Sequence, residues 1–554
     1  MDMDIRDEQL KTALLRLYSA LYEERETVMQ PKLLAMSFMR HRVNYKNTRV
    51  DRRAIHDDTG IMAKDTFVNG IMAYLITEGK DWFKFLTWGR KFLPSDRIYG
   101  ANDYLEAAQK YTLAVMSRTK YYTATKACVE DAVISGNGYL QVVDDQDKRN
   151  VYYMCLDPQE IVGEDDENGV PCIIIRKFTM SGRTAYKKWG DALPEELVAS
   201  VKNGNGSSSH EFLDAYYPRE ELFDNEGKPI VTTFKRFAHV VYSYSGDKII
   251  QKGGYDEMPI AVFRYYHSEG CFYGEGKVER HIDELIKLDD MANQRQIIFQ
   301  KNANPAYNLP LAMVDRRWSD NPGAKNYLDI TSGKPEAVRS PVDASYMLND
   351  IKEQQNIVMD LLDAKLFRLL MMSNDIQRTA YEISEQKGEA LMLLSVAIGN
   401  LQMELITPTV LRTFNILRRM GVIPPVPEEL AKESVGGLRV ELDGPLVKRM
   451  QTYLQATGLV NGLSYIAQVA QINSEIMVNF DWDEIARQGA TAQGLPQTAI
   501  REYADVQKIK RQQLQQQQQQ AQMQQQQADA ESIAKLAKAN ADSGGALAQY
   551  LGGM

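Results

Sequence analysis

The spacing of hydrophobic side chains divides the chain into helical and strand-like stretches. In residues 7–46 apolar side chains recur every three or four positions, which predicts an amphipathic helix. The same spacing predicts helices over 63–76 and 101–134, the second with Asn102 as its N-cap and Gly136 just beyond its C-terminus. The chain is therefore expected to begin with three helices.

From about residue 137 to 266 the pattern changes to short runs of β-branched and aromatic residues. Glycine- and aspartate-rich turns separate runs such as YLQVV, CIIIRKF and IAVFRYY, as in antiparallel strands. Residues 201–210 have the composition of an exposed loop. The predicted fold class is therefore α+β, predominantly helical.

Helical spacing returns at 276–301 and at 346–370, on either side of a short module. That module, 302–345, is punctuated by Pro, Gly and Asn and contains two brief strand-like runs. Two helices flanking a compact insert predict a helical hairpin with the insert at its tip.

A polar break at 371–378 precedes a very long predicted helix over 379–420. Pro408 should kink this helix and Gly421 should end it. Unbroken, the helix would be about 60 Å long. A single chain has little use for such a helix, but a ring of copies can pack such helices side by side.

The C-terminal part is predicted to be helical with short turns over 428–508, followed by a glutamine-rich tract within 511–554. The tract has three interpretations: a disordered tail, a helical barrel formed with other copies, or an aggregation-prone segment.

Composition narrows the class of protein. The longest apolar runs fall far short of the roughly 20 residues needed to cross a bilayer, so no membrane segment is expected. The four cysteines are scattered without a CxxC pair, which favours reduced, structural thiols. With 65 basic and 74 acidic residues the net charge is −9. This balance argues against a protein that grips nucleic acid, but not against one past which DNA slides.

Motifs for metal binding or catalysis are weak. The six histidines show no HxxxH or HExxH spacing, and His267 with Cys271 is a lone pair, so no metal site is expected. The tetrapeptide GEGK at 274–277 resembles the end of a phosphate-binding loop, but Val278 replaces the Ser/Thr that would hold magnesium. The SGNGYL segment at 135–140 is interpreted as a turn. We predict that the protein is not an enzyme, with no catalytic or metal-binding residue and no cofactor.

Three blocks of the chain are similar to one protein family, in the order that the family has them. Residues 378–427 resemble the most distinctive segment of podophage head–tail connecting (portal) proteins, with anchors at Thr379, Ala380, Glu382, Glu389, Glu404, Leu405, Pro408, Arg412, Leu417, Gly421 and Pro424. Residues 256–291 resemble the family's strand-to-helix junction at Pro259, Arg264, Tyr265, Tyr273, Gly274 and Gly276. Residues 67–85 resemble a third block. His281–Leu288 departs from the family's Asn-containing pattern.

The resemblance implies a portal fold, repeated about a central axis in a dodecamer. The implied parts are a wing at 1–275, stem helices at 276–301 and 346–370, a clip at 302–345, a channel loop at 371–378, a long helix and crown at 379–510, and a C-terminal tail or barrel at 511–554. It also implies a place in the virion, at one capsid vertex, after assembly in the host cytoplasm.

The implied partners follow from that place. They are double-stranded DNA held non-specifically in the channel, the terminase large subunit, tail adaptor and tail proteins, major capsid and scaffold proteins, and internal core or ejection proteins.

The implied channel loop is the movable part that would face DNA. It consists of Met371, Met372, Ser373, Asn374, Asp375, Ile376, Gln377 and Arg378. Lys365 and Arg378 are candidate phosphate contacts, with intersubunit pairing to Asp or Glu as an equal alternative. Met371 and Met372 suit helix packing better than a DNA-facing surface.

Two other functions stay open from the sequence. One is a different structural or scaffolding virion protein built on long helices. The other is a nucleic-acid-processing enzyme, for which divalent-metal-dependent DNA cleavage would be the evidence.

Overall fold

A computed structural model describes most of the first 303 residues and several later segments. The described residues are 2–39, 55–87, 98–145, 150–224, 226–268, 270–303, 307–308, 338–339, 345–362, 395–425, 438–444, 485, 530–535 and 538. The chain forms two compact units, Met1–Met450 and Gln451–Met554. The whole predicted channel loop, Lys365, Thr379, Ala380, Glu382 and most of 302–345 lie outside the described residues.

Helices make up much of the first unit. They are α1 (Asp2–Met39), α2 (Thr59–Leu75), α3 (Ile98–Arg118), α4 (Tyr121–Ser135), α5 (Gly182–Trp189), α6 (Glu195–Lys202), α7 (Lys277–Arg280), α8 (Ile282–Ala303), α9 (Ser345–Leu361), α10 (Ser395–Asn400) and α11 (Thr407–Arg419). A π-helical segment, Leu401–Ile406, joins α10 to α11.

Within the part of the chain that the structure describes, the strands form four antiparallel sheets. They are β1 (Phe83–Thr87), β2 (Asn137–Asp145), β3 (Asn150–Leu156), β4 (Ile161–Asp165), β5 (Pro171–Ser181), β6 (Ser209–Pro218), β7 (Phe237–Ser243), β8 (Lys248–Tyr255), β9 (Ile260–Arg264), β10 (Tyr307–Asn308), β11 (Val338–Arg339) and β12 (Leu438–Leu442). One sheet has the order β3-β2-β9 and another β4-β5-β6-β7-β8, while β1 pairs with β12 and β10 with β11. The mixed helix-and-strand prediction is confirmed.

The prediction of one helix over 101–134 is wrong, because the helix is interrupted between α3 and α4. The Thr119 hydroxyl donates to the carbonyl oxygens of Val115 and Met116, at 3.0 and 3.1 Å. Such a side-chain bond competes with the backbone ladder and favours an end to the helix. Asn102 lies inside α3 and is not its N-cap. The predicted helix 276–301 is likewise interrupted, at His281.

Two further segments differ from the prediction. Asn137–Asp145 is a strand, so the turn predicted for SGNGYL is confined to Gly136, whose left-handed backbone ends α4. Gly138 continues the strand because it lacks a Cβ, which would lie 2.1 Å from the Cys128 carbonyl oxygen. Within the region predicted to be helical after 428, Leu438–Leu442 is a strand that pairs with β1.

The largest hydrophobic core joins parts of the chain that are far apart in sequence. It includes residues of α2, α4, the β3-β2-β9 sheet, α8, α9, the π-helical segment, α11 and β12. Its centre is aromatic: the Trp82 ring stacks on Tyr121 at a centroid distance of 6.1 Å, and Phe85 packs on Phe414 at 5.3 Å. A second core fills the space between α1 and the five-stranded sheet.

Candidate functional site

The end of β9 carries a buried arginine that connects this strand to two other segments. Arg264 is only 2% exposed, and its Nε and Nη2 donate to Oε1 of Glu404 at 2.9 and 2.6 Å. Its backbone N–H donates to the other carboxylate oxygen of Glu404 at 2.7 Å. Nη1 donates to Asp165 at 2.6 Å, and Nη2 also donates to the carbonyl oxygen of Gly169 at 3.0 Å. One guanidinium group thus holds β9, the π-helical segment and the β4–β5 turn together.

At this junction, burial and charge pairing act in opposite directions on the pKa of Asp165. Burial raises the pKa of Asp165, while the guanidinium of Arg264 acts in the opposite direction. Arginine suits the position because its planar group satisfies two carboxylates at once.

Glu404 projects from the π-helical segment, which lies directly before Pro408. The N–H of Thr407 donates to the carbonyl oxygen of Gln402, five residues earlier. The irregularity predicted at Pro408 is therefore a widened helical turn, with backbone angles that stay helical on both sides. π-Helical turns are rare in proteins, and those that occur are often found at functional sites.

Three glycines let the backbone of 274–276 lie directly on the end of α4. A Cβ on Gly136 would lie 2.1 Å from the carbonyl oxygen of Gly274, and a Cβ on Gly276 would lie 2.4 Å from that of Ile134. The buried Lys32 ammonium donates to the carbonyl oxygens of Ser135 and Gly274, and pairs with Glu279 at 2.8 Å. Gly274 and Gly276, both identified from the sequence, are therefore needed for close packing.

Pro259 and Arg412 meet on one residue of β2. The Val142 N–H donates to the carbonyl oxygen of Pro259 at 2.8 Å, and the Val142 carbonyl oxygen accepts from Arg412 Nε at 2.8 Å. A second nitrogen of Arg412 donates to the Glu257 carbonyl oxygen at 3.2 Å. Tyr273 is buried in a third core, with its ring edge-on to Phe272.

At the end of α11, Gly421 has the left-handed backbone predicted for it, with φ of +70°.

The lysine of GEGK is part of the core. Lys277 is 5% exposed, and its ammonium lies 5.3 Å from the centroid of the Phe67 ring. Burial lowers the pKa of Lys277 to about 8, and the nearby Arg280 charge adds to the effect. The side chain packs against an aromatic ring and is not presented in an open loop for phosphate.

A buried polar network was missed by sequence reasoning. His239 Nε2 lies 2.7 Å from Asp214, whose other oxygen accepts from the Tyr216 hydroxyl at 3.1 Å. Gln141 donates to that hydroxyl at 2.8 Å, which links β2 to the five-stranded sheet. Burial opposes ionisation of Asp214, but its hydrogen bond to His239 and the electrostatic effect of His239 and Lys188 outweigh burial and lower the Asp214 pKa. These four residues form no spaced motif, so the sequence carries no signal for them.

Among the described residues, no group of three or more His, Cys, Asp and Glu side chains is arranged to hold a metal ion. In the same part of the chain, no helix is both long and apolar enough to span a bilayer. None of the four cysteines, all of which lie in the described residues, forms a disulfide: Cys128 is buried, and Cys155, Cys172 and Cys271 are half-buried.

Comparisons with known proteins point to one family. The model of the family described as bacteriophage head to tail connecting protein matches residues 8–500. The portal protein of Salmonella phage epsilon15 is 25% identical over 488 residues, 84% of this chain and 83% of that protein. A protein of Bordetella phage BPP-1 named "Probable portal protein" is 23% identical over 499 residues, covering 89% of this chain and 88% of that protein. A chain from a native gene transfer agent virion aligns over 84% of this chain and 94% of its own length, at 10% identity and a TM-score of 0.35, a likeness too loose to define the fold.

Proposed function

Since the chain belongs to the bacteriophage head-to-tail connecting protein family, we propose that twelve copies form a ring at one capsid vertex. Double-stranded DNA passes through this ring, inward during packaging and outward during ejection. The match over residues 8–500 is the observation that carries the proposal. The ring acts as a conduit and a docking platform, and it catalyses no reaction itself.

The architecture proposed for each subunit follows the segmentation of the sequence. Residues 1–275 form the wing, 276–301 and 346–370 the stem, 302–345 the clip, and 379–510 the long helix and crown. The antiparallel pairing of Tyr307–Asn308 with Val338–Arg339 supports a compact clip, because it brings the two ends of that segment together. Residues 511–554 form a tail or a barrel.

The buried junctions support a stiff wall around such a channel. Arg264 and Glu404 join the α+β region to the long helix through three hydrogen bonds. A duplex that moves through a ring exerts force on each subunit, so the wing and the long helix must be connected firmly. Contacts to the duplex itself are weak and directed to backbone phosphates. The proposed contacts are Lys365 of the second stem helix and Arg378 of the channel loop 371–378.

The net charge of −9 fits sliding contact. A protein that neutralises many phosphates with clustered Lys and Arg binds DNA tightly and releases counterions. A mildly acidic conduit avoids this adhesion.

The proposed partners divide by stage. The terminase large subunit docks during packaging, and tail adaptor and tail proteins dock afterwards at the clip and stem. Major capsid and scaffold proteins contact the wing, and internal core or ejection proteins lie on the capsid side. The assembled ring belongs to the virion and forms first in the host cytoplasm.

Negative-stain electron microscopy of the purified full-length chain tests the proposal. We expect ring-shaped particles with a central hole wide enough for a duplex, and class averages that give the subunit number. A preparation that consists uniformly of monomers would exclude the portal function. Metal-dependent DNA cleavage by the same preparation would favour a nucleic-acid-processing enzyme.

A further inference from the structure

The connection between β6 and β7 exposes three large apolar side chains. Phe234 is 100% exposed, Phe223 55% and Val231 53%. The base of this connection is ordered: the Arg219 N–H donates to the Arg236 carbonyl oxygen at 3.1 Å, and the Arg219 side chain donates to the Phe234 carbonyl oxygen at 3.4 Å. Single exposed hydrophobic residues are common, but several on one held loop are typical of a contact surface.

A cleft between α1 and the five-stranded sheet offers a complementary surface. Its volume is about 530 Å³, within the roughly 300–1,000 Å³ typical of pockets that hold an organic group. Tyr18, Tyr22 and Phe178 supply its aromatic part, and Glu26, Glu160 and Glu211 supply carboxylates. Tyr22 is 39% exposed, so its ring is accessible.

The loop and the cleft lie at opposite ends of β6. Glu211, in the cleft, pairs with Thr179 near the start of the strand, whereas Pro218 pairs with Phe237 at its end, where the loop begins. Seven residues of extended chain at about 3.3 Å each separate these ends by roughly 23 Å. Phe234 therefore does not fill the cleft of its own subunit.

We propose that Phe234 of one subunit inserts into the cleft of the neighbouring copy, and that this contact closes the ring. The inference rests on the proposed ring function. A closed ring uses two different patches on every subunit, which face each other between neighbours. The loop and the cleft are two such patches on one chain. An aromatic side chain in a pocket is the usual centre of a strong protein interface.

Charge supports the same pairing. Lys235 and Arg236 directly follow Phe234, and Glu26 and Glu211 lie around the cleft. The side chains of Glu26 and Glu211 are 48% and 49% exposed, and each already lies near a cation of its own subunit, Arg25 at 3.7 Å and Lys177 at 3.1 Å. The cleft lining carries three carboxylates against these two cations, so a small excess of negative charge faces the neighbour's Lys235 and Arg236. An inserted phenyl ring would pack on Tyr22, next to the guanidinium of Arg25, which already lies 5.6 Å from the Tyr22 ring centroid.

Cysteine crosslinking of the full-length chain tests the contact. A double variant, Lys235→Cys with Thr179→Cys, carries one cysteine on each patch and keeps Phe234 in place, and both positions are exposed. After mild oxidation we expect a ladder of covalent multimers on a denaturing gel. Each single variant should give no ladder, and the unsubstituted chain controls for its four native cysteines. A mixture of the two single variants should stop at dimers.

Phe234→Ala measures the strength of the contact. The side chain is fully exposed in the isolated subunit, so the fold should be unaffected. We expect the protein concentration at which rings form to rise by about tenfold or more. Met62→Ala, which truncates a side chain that is 57% exposed on α2, is the matched control and should leave ring formation unchanged.

The outcomes separate this interface from the ring function. Rings without a crosslinked ladder, or rings that Phe234→Ala leaves unaltered, would overturn the interface and leave the ring function intact. Unaltered rings with impaired binding of the major capsid protein would assign the loop to the shell instead. A monomeric unsubstituted chain would refute the ring function itself.

Discussion

The side chain of Arg264 donates two hydrogen bonds to Glu404, which lies 140 residues further along the chain, and its backbone N–H donates a third. Removing one member of a buried ion pair costs up to about 3–5 kcal/mol when the other charge is left unpaired. Arg264 would keep its pair with Asp165, so the loss should lie at or below the lower end of that range. We therefore expect Glu404→Ala to lower the urea midpoint of the full-length protein markedly. Glu275→Ala removes an exposed pair with Arg280 and should change stability by no more than about 1 kcal/mol. Equal midpoints for the two variants would contradict a structural role for the Arg264 junction.

Gly136 should tolerate no side chain. It has φ of +91°, and an added Cβ would lie 2.1 Å from the backbone oxygen of Gly274. We expect Gly136→Ala to destabilise the protein by more than the roughly 1–2 kcal/mol of a left-handed L-residue, because the clash adds to that strain. Gly79→Ala isolates the backbone strain, since Gly79 has φ of +77° and nothing within 4 Å of its added Cβ. Thermal unfolding of both variants measures the difference, and similar losses would show that α4 and 274–276 do not require close contact.

Lys277 should make stability depend on pH in the alkaline range. Its pKa in the folded protein is lowered to about 8, whereas an unfolded lysine has a pKa of about 10.4. Between these values the unfolded chain binds more protons, so the contribution of Lys277 to stability rises with pH. We expect the stability difference between the unsubstituted chain and Lys277→Met to shift in favour of the unsubstituted chain from pH 8 to pH 10.5. A difference that is independent of pH would mean that Lys277 is not buried in the folded state.

Deletion of 371–378 tests the proposed channel loop. We expect rings of normal appearance in the microscope, because the loop is proposed to face the channel and not a neighbouring subunit. The variant phage should package or retain less DNA, measured as genome content per particle. Failure of the deleted chain to form rings would show that the loop has a structural role.

The periodicity of the sequence predicts the order of helices and strands well where the apolar positions of an element all face the same core. The amphipathic stripe of α1 and the β-branched runs of 137–266 are examples, since each buries one face on a core. Boundaries were less predictable. The break at Thr119 depends on a side-chain hydroxyl bond, and the strand Leu438–Leu442 forms because β1 offers a pairing edge more than 300 residues earlier.

The sequence predicts which residues belong to the candidate site, but not which residues they contact. Arg264, Gly274 and Gly276 were identified from the resemblance, but nothing in the sequence pairs Arg264 with Asp165. Tertiary partners of this kind are fixed by the three-dimensional packing. The His239–Asp214 pair shows the same limit, because both residues lie on strands whose register the sequence does not specify.

The pairing of β1 with β12 has a consequence for how the protein is made. Phe83 lies opposite Leu442, so the largest core is complete only after the ribosome has synthesised both strands. At about 5–20 residues per second, the roughly 350 residues between them take about 20–70 s to translate. During that interval the aromatic side chains around Trp82 lack the core residues that come later in the chain. A prematurely terminated chain cannot complete this core, so truncated products are poor candidates for entry into a ring and good substrates for chaperones and proteases.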